Sequence, residues 1–361
     1  MISYPFDTIS INGREVSLQS IKDQKAVASS DFEKHTFAFI SSWLSGSESF
    51  VQFTSGSTGN PKPITISRKQ MIASAQMTIE ALALKQGYRS LLCLSPEFIA
   101  GKMMIVRSFV AGMEIVAVTP SANPLISLPL NQRIDFAAMV PYQIHEIVRS
   151  DKANNLERIA NVIIGGSAMD RETMAKLEGC RCNVYSTYGM TETISHIALR
   201  RLNGPKVPEH YTTLPGITIS HDDRGCLIIE WSQLAEKIIT NDIVEIASKN
   251  SFKWIGRWDN IINTGGFKVV PEEVEQQIEK IFAEFNITTE FFVGSLPDDR
   301  LGNKVVLFIQ EKLTPLMLSA LQEKIEEQIR ALERPKEIIT GARLIMTENG
   351  KINRKSSLNL T

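Results

Sequence analysis

The chain has 361 residues, and its 39 basic and 40 acidic residues give a formal net charge of −1. Because the two signs are interleaved, the composition excludes a strongly basic surface and predicts no nucleic-acid partner. No apolar stretch approaches membrane-spanning length, and the first residues carry charges where a signal peptide needs an apolar run. The sequence therefore predicts a cytoplasmic protein without membrane contact, and its length predicts two domains.

The first functional pattern is FTSGSTGNPKP at residues 53–63, which lies between an apolar strand end and a helix predicted from Arg68. Glycines let backbone N–H groups surround an anion, hydroxyl groups add donors, and a lysine adds a compact positive charge. Prolines on both sides of Lys62 exclude a Walker A loop, and a plain polar turn is the structural alternative. The pattern predicts a nucleotide-phosphate loop made of Thr54, Ser55, Gly56, Ser57, Thr58, Gly59 and Lys62.

Apolar, β-rich runs alternate with helical patterns in the next part of the chain. Residues 90–94, 112–118 and 161–164 are predicted as buried strands, and the alternation indicates parallel sheets covered by helices. Residues 227–246 instead predict short antiparallel strands, with a polar turn at 222–225. The predicted class is α/β, with a large N-terminal domain of mostly parallel sheets that includes a small β subdomain.

The second functional pattern is YSTYGMTETISHIA at residues 185–198. Its core, YGMTE, resembles the core motif of the adenylate-forming superfamily of acyl-CoA synthetases, peptide-synthetase adenylation domains and luciferases. The resemblance implies that Thr191 and Glu192 contact ATP phosphates and Mg²⁺, and that Tyr188 and Gly189 belong to the nucleotide site. One carboxylate beside the phosphates is sufficient to hold Mg²⁺, because this ion prefers hard oxygen ligands and keeps several waters.

Two further segments resemble parts of the nucleotide site in this superfamily. The triplet Thr240-Asn241-Asp242 resembles its Thr-Gly-Asp motif, which implies that Asp242 binds the ribose hydroxyls. Gly165, Gly166 and Ser167 match its glycine-rich adenine wall, where the lack of side chains admits a flat base. A turn that ends a strand is the structural alternative for these three residues.

The C-terminal third resembles the mobile domain of the superfamily. Residues 256–275 resemble its interdomain segment, which implies that Arg257 contacts ribose or phosphate and that Asp259 is a hinge. Residues 349–354 resemble its terminal lysine motif, which implies that Lys351 stabilises charge during adenylation.

The pattern after this hinge is that of a compact α+β module. A helix is predicted from Pro271, because proline suits the first helical turn, and another over 318–332, with strands near Phe291 and Val305. Two domains are predicted. Residues 1–257 are an adenylation domain that binds nucleotide and acyl group and is shortened at its N-terminus, and residues 260–361 are a mobile C-terminal domain that carries the catalytic lysine.

The resemblance is closest to the short o-succinylbenzoate–CoA ligases of menaquinone biosynthesis. It implies that a carboxylate of a small aromatic acid attacks the α-phosphorus of MgATP to form an acyl-adenylate, and that CoA, a co-substrate, then displaces AMP. Another aryl- or acyl-CoA ligase, a stand-alone adenylation enzyme that loads a carrier protein, or a nucleotide-binding regulator stays an alternative. The oligomeric state stays open, with a homodimer as one option. The similar segments are LSPEFIAGKMMIVRS, MVPYQ, IIGGSAM and SHIALR, at residues 94–108, 139–143, 163–169 and 195–200.

Five residues in these segments are candidates for the acyl-binding site. Lys102 and Arg107 interrupt an apolar run, and they suit the second carboxylate of o-succinylbenzoate, although a solvated helix face is the alternative. Phe98 stands at the position of an aromatic gate in relatives, with a core phenylalanine as the alternative. Ser195 and His196 follow the Thr-Glu pair and are predicted to face the acyl group, although His196 also fits a structural role.

Overall fold

The structure is a computed structural model that describes residues 4, 6–53, 63–150, 153–166, 169–347 and 352–360. The chain divides into two compact units. Unit 1 comprises Met1–Thr218 and Glu230–Ile238, and unit 2 comprises Ile219–Ile229 and Ile239–Thr361. The sequence-based boundary between residues 257 and 260 stays a prediction.

Unit 1 contains strands β1 to β11 and helices α1 to α6. Its strands are β1 Thr8–Ile11, β2 Arg14–Ser17, β3 Ser49–Phe53, β4 Pro63–Ser67, β5 Arg89–Leu92, β6 Glu114–Ala117, β7 Ile134–Met139, β8 Ile159–Ile164, β9 Asn183–Gly189, β10 His196–Arg201 and β11 Tyr211–Thr213. Its helices are α1 Leu18–Lys22, α2 Asp31–Leu44, α3 Arg68–Ala81, α4 Ile99–Ala111, α5 Pro141–Arg149 and α6 Arg171–Leu177.

The main sheet of unit 1 is mostly parallel. Its strand order is β11-β10-β9-β8-β7-β5-β6-β1-β2, in which neighbours from β9 to β1 run parallel and the remaining pairs run antiparallel. Strands β5, β6 and β8 cover the three predicted buried runs, and their apolar side chains pack with those of α5 in one core. The predicted α/β class is confirmed, with differences of one or two residues at strand ends.

Helix α3 begins at Arg68, as predicted. Ser67 and Gln70 form a capping box, because the Ser67 Oγ accepts from the Gln70 N–H at 3.2 Å and the Gln70 Oε1 accepts from the Ser67 N–H at 2.8 Å. The Arg68 guanidinium lies 4.3 Å from the ring centroid of Trp43 and donates to the Ser47 carbonyl at 2.8 Å. These contacts fix the junction between β4 and α3.

Residues 217–257 form the strands β12 Ile217–His221, β13 Cys226–Trp231, β14 Ile238–Ser248 and β15 Ser251–Arg257. Strands β14 and β15 pair antiparallel. The predicted polar turn is present between β12 and β13, where the Asp222 Oδ1 accepts from the N–H groups of Arg224 and Cys226, each at 2.9 Å. Gly225 has a φ of +77°, which favours glycine at the end of this turn.

The rest of unit 2 is the predicted α+β module. Its elements are β16 Ile262–Thr264, β17 Phe267–Val269, α7 Pro271–Glu284, β18 Phe291–Asp298, β19 Gly302–Ile309, α8 Pro315–Gln328, β20 Glu337–Thr340 and α9 Arg354–Leu358. Strands β18 and β19 pair antiparallel, β19 and β20 pair parallel, and their apolar residues pack with helices α7 and α8 in one core. Helix α7 begins at Pro271, as predicted, whereas α8 ends before Ile329, whose backbone is extended, rather than near Leu332.

A largely buried ion pair joins α9 to α7 in this module. The Arg354 guanidinium donates to both carboxylate oxygens of Glu275, at 2.6 and 2.7 Å, and to the Val293 carbonyl at 2.6 Å. The Val293 N–H donates to the same carboxylate at 2.6 Å, so the pair also satisfies the backbone of the edge strand β18. Burial raises the pKa of the Glu275 carboxyl, although the Arg354 cation opposes the shift.

Arg354→Met is expected to lower the free energy of unfolding by roughly 3 kcal/mol, because it leaves the buried Glu275 carboxylate without its cation. Thermal and denaturant unfolding measure the effect. Lys355→Met, at the exposed neighbouring position, is the matched control and should change stability little. Adding Glu275→Gln to Arg354→Met should recover part of the loss, and equal stability of the Arg354 and Lys355 variants would contradict the assignment.

Candidate active site

The predicted phosphate loop follows β3 and precedes β4. These strands pair antiparallel, with Phe53 opposite Pro63, so the described chain leads directly into and out of the loop. Some predicted site residues lie outside the described residues, and their roles stay predictions: Thr54, Ser55, Gly56, Ser57, Thr58, Gly59, Lys62, Ser167 and Lys351.

The two described glycines of the predicted adenine wall follow the end of β8. The Gly165 N–H donates to the Met139 carbonyl at 3.2 Å, and a Cβ at Gly165 would lie 2.8 Å from the Thr187 Oγ1. Gly166 has a φ of +108°, which a larger residue rarely adopts. Both positions therefore require glycine, and the backbone between them presents no side chain to a ligand.

The YGMTE motif lies at the carboxyl end of β9, next to the glycines, because β8 and β9 run parallel. A Cβ at Gly189 would lie 2.5 Å from the Ser195 carbonyl oxygen, so glycine permits the close approach of β9 and β10. Thr191 and Glu192 form a short 3₁₀ turn in which Glu192 is exposed. Among the described residues no partner holds its carboxylate, which leaves hard oxygens for a cation.

A strained turn places Ser195 and His196. Ile194 is buried and has a φ of +68° and a ψ of −49°, and the Ser195 N–H donates to the Thr193 carbonyl at 2.7 Å. These values describe a γ-turn of the rare positive-φ form, which is unusual for a β-branched residue. The Thr193 Oγ1 supports the turn through its contact with the Met190 N–H at 2.9 Å. Such local strain is concentrated at functional sites.

Four polar side chains from α3, α4 and the start of β10 form one hydrogen-bonded group, here called the Arg107 cluster: Thr78, Arg107, Ser195 and His196. Arg107 is only 2% exposed, and its guanidinium donates to the Ser195 Oγ at 2.8 Å and the Thr78 Oγ1 at 3.3 Å. The His196 ring lies 3.2 Å from the Thr78 Oγ1 through Nε2 and 3.4 Å from the Ser195 Oγ through Nδ1. The structure therefore joins three predicted substrate residues with Thr78.

The alternative of a solvated helix face is wrong for Arg107, because α4 turns this side chain into the protein. Burial lowers the pKa of Arg107 to about 9, so the guanidinium is still a cation at neutral pH. Burial and the Arg107 charge lower the pKa of His196 well below its usual range, so the imidazole is neutral. Among the described residues no carboxylate pairs with Arg107, and a buried cation of this kind favours an anionic ligand.

Lys102 and Phe98, also on or beside α4, do not join the Arg107 cluster. The half-buried Lys102 ammonium donates to the Gln52 Oε1 at 2.8 Å, beside the end of β3, and burial lowers its pKa. Phe98 is 65% exposed at the start of α4, so the interpretation as a core phenylalanine is wrong. A Cβ at Gly101 would lie 2.2 Å from the Ser95 carbonyl oxygen, so glycine allows α4 to pack against the preceding loop.

Unit 2 brings together the predicted ribose and hinge residues. The buried Asp242 carboxylate accepts from the Trp254 Nε1 at 3.3 Å and lies 3.5 Å from an Arg257 nitrogen. The same Arg257 guanidinium donates to the Asp259 carboxylate at 2.8 Å. Asp242 and Arg257 stand opposite each other in the β14–β15 pairing, which explains why they meet.

No sequence motif marks Thr78, Gln52 or Trp254 as partners of the predicted residues. Thr78 is a polar residue in the buried face of α3, and Gln52 is a buried amide in an apolar strand. Because a buried polar residue needs a hydrogen-bond partner, a polar residue in an apolar segment is a weak sequence signal of such a contact. Their partners are distant in sequence, and only the fold reveals them.

Comparison with known proteins identifies relatives of this chain. A model of the AMP-binding enzyme family matches residues 14–230. The chain is 38% identical to an acyl-CoA synthetase (AMP-forming)/AMP-acid ligase II-like protein from Dyadobacter fermentans DSM 18053, and the match covers 94% of this chain and 97% of that one with a TM-score of 0.64. It is 27% identical to a probable 2-succinylbenzoate–CoA ligase of Mycobacterium tuberculosis (strain ATCC 25618 / H37Rv), over 84% of this chain and 82% of the relative.

A solved structure with lower identity has the same fold. The o-succinylbenzoate coenzyme A synthetase of Bacillus subtilis, in complex with ATP and a magnesium ion, is 18% identical, with a TM-score of 0.70. The match covers 85% of this chain and 69% of that one. This likeness confirms the α/β class.

The relatives define an adenylate-forming enzyme of the acyl-CoA ligase class, as predicted. The chain belongs to the AMP-binding enzyme family. In the described part of the chain, no helix is long and apolar enough to cross a membrane. The same part contains no group of three or more His, Cys, Asp or Glu side chains that could hold a metal ion.

Proposed function

We propose that this enzyme forms o-succinylbenzoyl-CoA from o-succinylbenzoate, ATP and CoA, as a step of menaquinone biosynthesis. The observation that carries the proposal is the buried Arg107 guanidinium, which has only neutral partners among the described residues. The relative from Mycobacterium tuberculosis, at 27% identity, is named for the same acid, which supports the proposal. A cytoplasmic location and a homodimer stay predictions.

The Arg107 cluster suits the carboxylate of the acid that does not react. Among the described residues, Arg107 donates to the Thr78 Oγ1, the Ser195 Oγ and, at 3.9 Å, the Met104 Sδ, whereas a guanidinium has five N–H donors. Ser195 is half-buried and extends the cluster toward solvent. A carboxylate there would accept from Ser195 or Arg107 and would pair with the buried charge, which offsets the cost of removing both groups from water.

The reacting carboxylate needs positioning and charge neutralisation more than a general base, because it is already ionised at neutral pH. Glu192, at the exposed turn after β9, would hold the Mg²⁺ that accompanies ATP, and Mg²⁺ would neutralise phosphate charge. The glycines after β8 would receive the adenine, and Asp242 would accept from the ribose hydroxyls. Lys351 would stabilise the charge that develops at the α-phosphorus.

The second step replaces AMP by CoA. The CoA thiolate attacks the acyl carbon of the adenylate, the bond between the acyl carbon and the phosphate oxygen breaks, and AMP leaves with the electron pair. A hinge movement at Asp259 would withdraw Lys351 and present the segment Gly265-Gly266-Phe267-Lys268 for this step. Domain movement is a known way to separate two reactions in one enzyme.

A coupled assay with three acids tests the proposal. The enzyme is given ATP, Mg²⁺ and CoA with o-succinylbenzoate, with 4-oxo-4-phenylbutanoate, which lacks the ring carboxylate, or with benzoate. We expect AMP and pyrophosphate release with thioester formation, and the largest kcat/KM for the diacid. A preference for either monoacid would indicate another aryl-CoA ligase, and pyrophosphate release without CoA consumption would indicate carrier-protein loading.

A further inference from the structure

Asn241 holds the side chain of the predicted hinge residue. Its Nδ2 lies 3.1 and 3.2 Å from the two carboxylate oxygens of Asp259. Its Oδ1 accepts from Arg224 at 3.0 Å, so the amide bridges a guanidinium and a carboxylate. Because the amide oxygen must face the cation and the amide nitrogen the anion, only one orientation of the side chain satisfies both contacts.

Arg224 is itself fixed, which makes the bridge rigid. Its guanidinium donates to the Asp222 carboxylate at 2.8 Å and to the Thr240 carbonyl at 3.2 Å, and it lies 5.6 Å from the ring centroid of Trp258. Asn241 therefore connects the turn before β13 to the segment that follows β15. The connection runs entirely through unit 2.

Asn241 stands where the motif Thr-Gly-Asp has glycine, and glycine has no side chain that can reach Asp259. With Arg257, which donates at 2.8 Å, Asn241 supplies the hydrogen bonds to the Asp259 carboxylate among the described residues. A rotation of the backbone at Asp259 that moves its side chain must break these contacts. Their loss would lower the free-energy difference between the conformation seen here and others.

We propose that Asn241 is a positioning residue that acts through Asp259 and slows departure of the hinge from this conformation. The proposal rests on the proposed two-step function, in which the hinge separates adenylation from thioester formation. Asn241→Gly introduces the glycine of the Thr-Gly-Asp motif and removes the side chain that bridges Arg224 and Asp259. Asn250→Gly, at an exposed turn between β14 and β15, is the matched control for glycine flexibility.

Hydrogen exchange of the full-length enzyme without ligands is the first test. The Ile261 N–H donates to the Trp258 carbonyl at 3.2 Å and reports on the hinge turn. Asn241→Gly should speed exchange of amides in residues 258–261 by about 3- to 10-fold, the scale of losing one or two net hydrogen bonds. Asn250→Gly should leave this segment unchanged. Unchanged exchange in Asn241→Gly would overturn the proposal whatever the enzyme's substrate is.

The two half-reactions are the second test. Pyrophosphate release without CoA and reaction of presynthesised adenylate with CoA are measured separately. Asn241→Gly should change the ratio of the two rates by about 3-fold or more, whereas general damage lowers both equally and lowers the unfolding midpoint. Equal changes in both rates would overturn a role at the hinge. An inactive wild-type enzyme would instead reject the proposed function, while the exchange result would still decide the role of Asn241.

Discussion

Lys351→Ala is expected to slow acyl-adenylate formation by about 100-fold or more, the scale of losing one positioned charge in a transition state. The reaction of presynthesised adenylate with CoA should continue, because the role proposed for Lys351 ends once the α-phosphorus has reacted. Pyrophosphate release and thioester formation are measured in separate single-turnover experiments. The expected result is loss in the first experiment only.

Lys355→Ala is the matched control for this experiment. Lys355 lies four residues beyond Lys351, and its side chain is exposed on α9. The substitution removes the same charge from the same part of the chain. Because Lys355 lies outside the lysine motif at residues 349–354, both half-reactions should keep wild-type rates. Equal loss of both half-reactions in Lys351→Ala, or a similar loss in Lys355→Ala, would remove Lys351 from the chemistry.

Much of the fold follows from local sequence signals. A buried parallel strand is a continuous apolar run, a capping box precedes α3, and Pro271 opens α7, so each element is encoded within a few residues. The end of α8 was less predictable, because the apolar pattern continues to Ile329, which is buried but extended. Tertiary packing rather than helix propensity decides where that residue belongs.

Motifs in the sequence predict candidate site residues, but they do not predict which side chains contact each other. The glycine positions after β8 and at the end of β9 follow from motifs, and the close approaches there explain why glycine is needed. The environment of Arg107 was not predictable, because an arginine in a helix is more often solvated. Its partners Thr78 and Ser195 are 29 and 88 residues away, so their contact depends on how α3 and β10 pack around α4. The strain at Ile194 has no sequence signal at all.

Arg107→Leu is expected to lower kcat/KM for o-succinylbenzoate, mainly by raising KM. The loss corresponds to about 2–4 kcal/mol of transition-state stabilisation. The reason is that a carboxylate bound beside Ser195 would lose its buried cation and remain desolvated. The monoacid 4-oxo-4-phenylbutanoate should lose little, since it presents no second carboxylate to the Arg107 cluster. Steady-state kinetics with both acids on the same protein measure the difference, and general damage to the pocket would affect both acids equally.

Arg107→Lys separates charge from geometry. Lysine keeps a cation but lacks the planar fork, so it cannot donate to Thr78 and Ser195 together while also meeting a carboxylate in a bidentate manner. The diacid should therefore show an intermediate loss, and the order wild type, Lys, Leu should appear for the diacid and not for the monoacid. If both substitutions lowered kcat/KM for the two acids alike, the role of Arg107 would be only to position His196 and Ser195. The second carboxylate would then have to bind elsewhere.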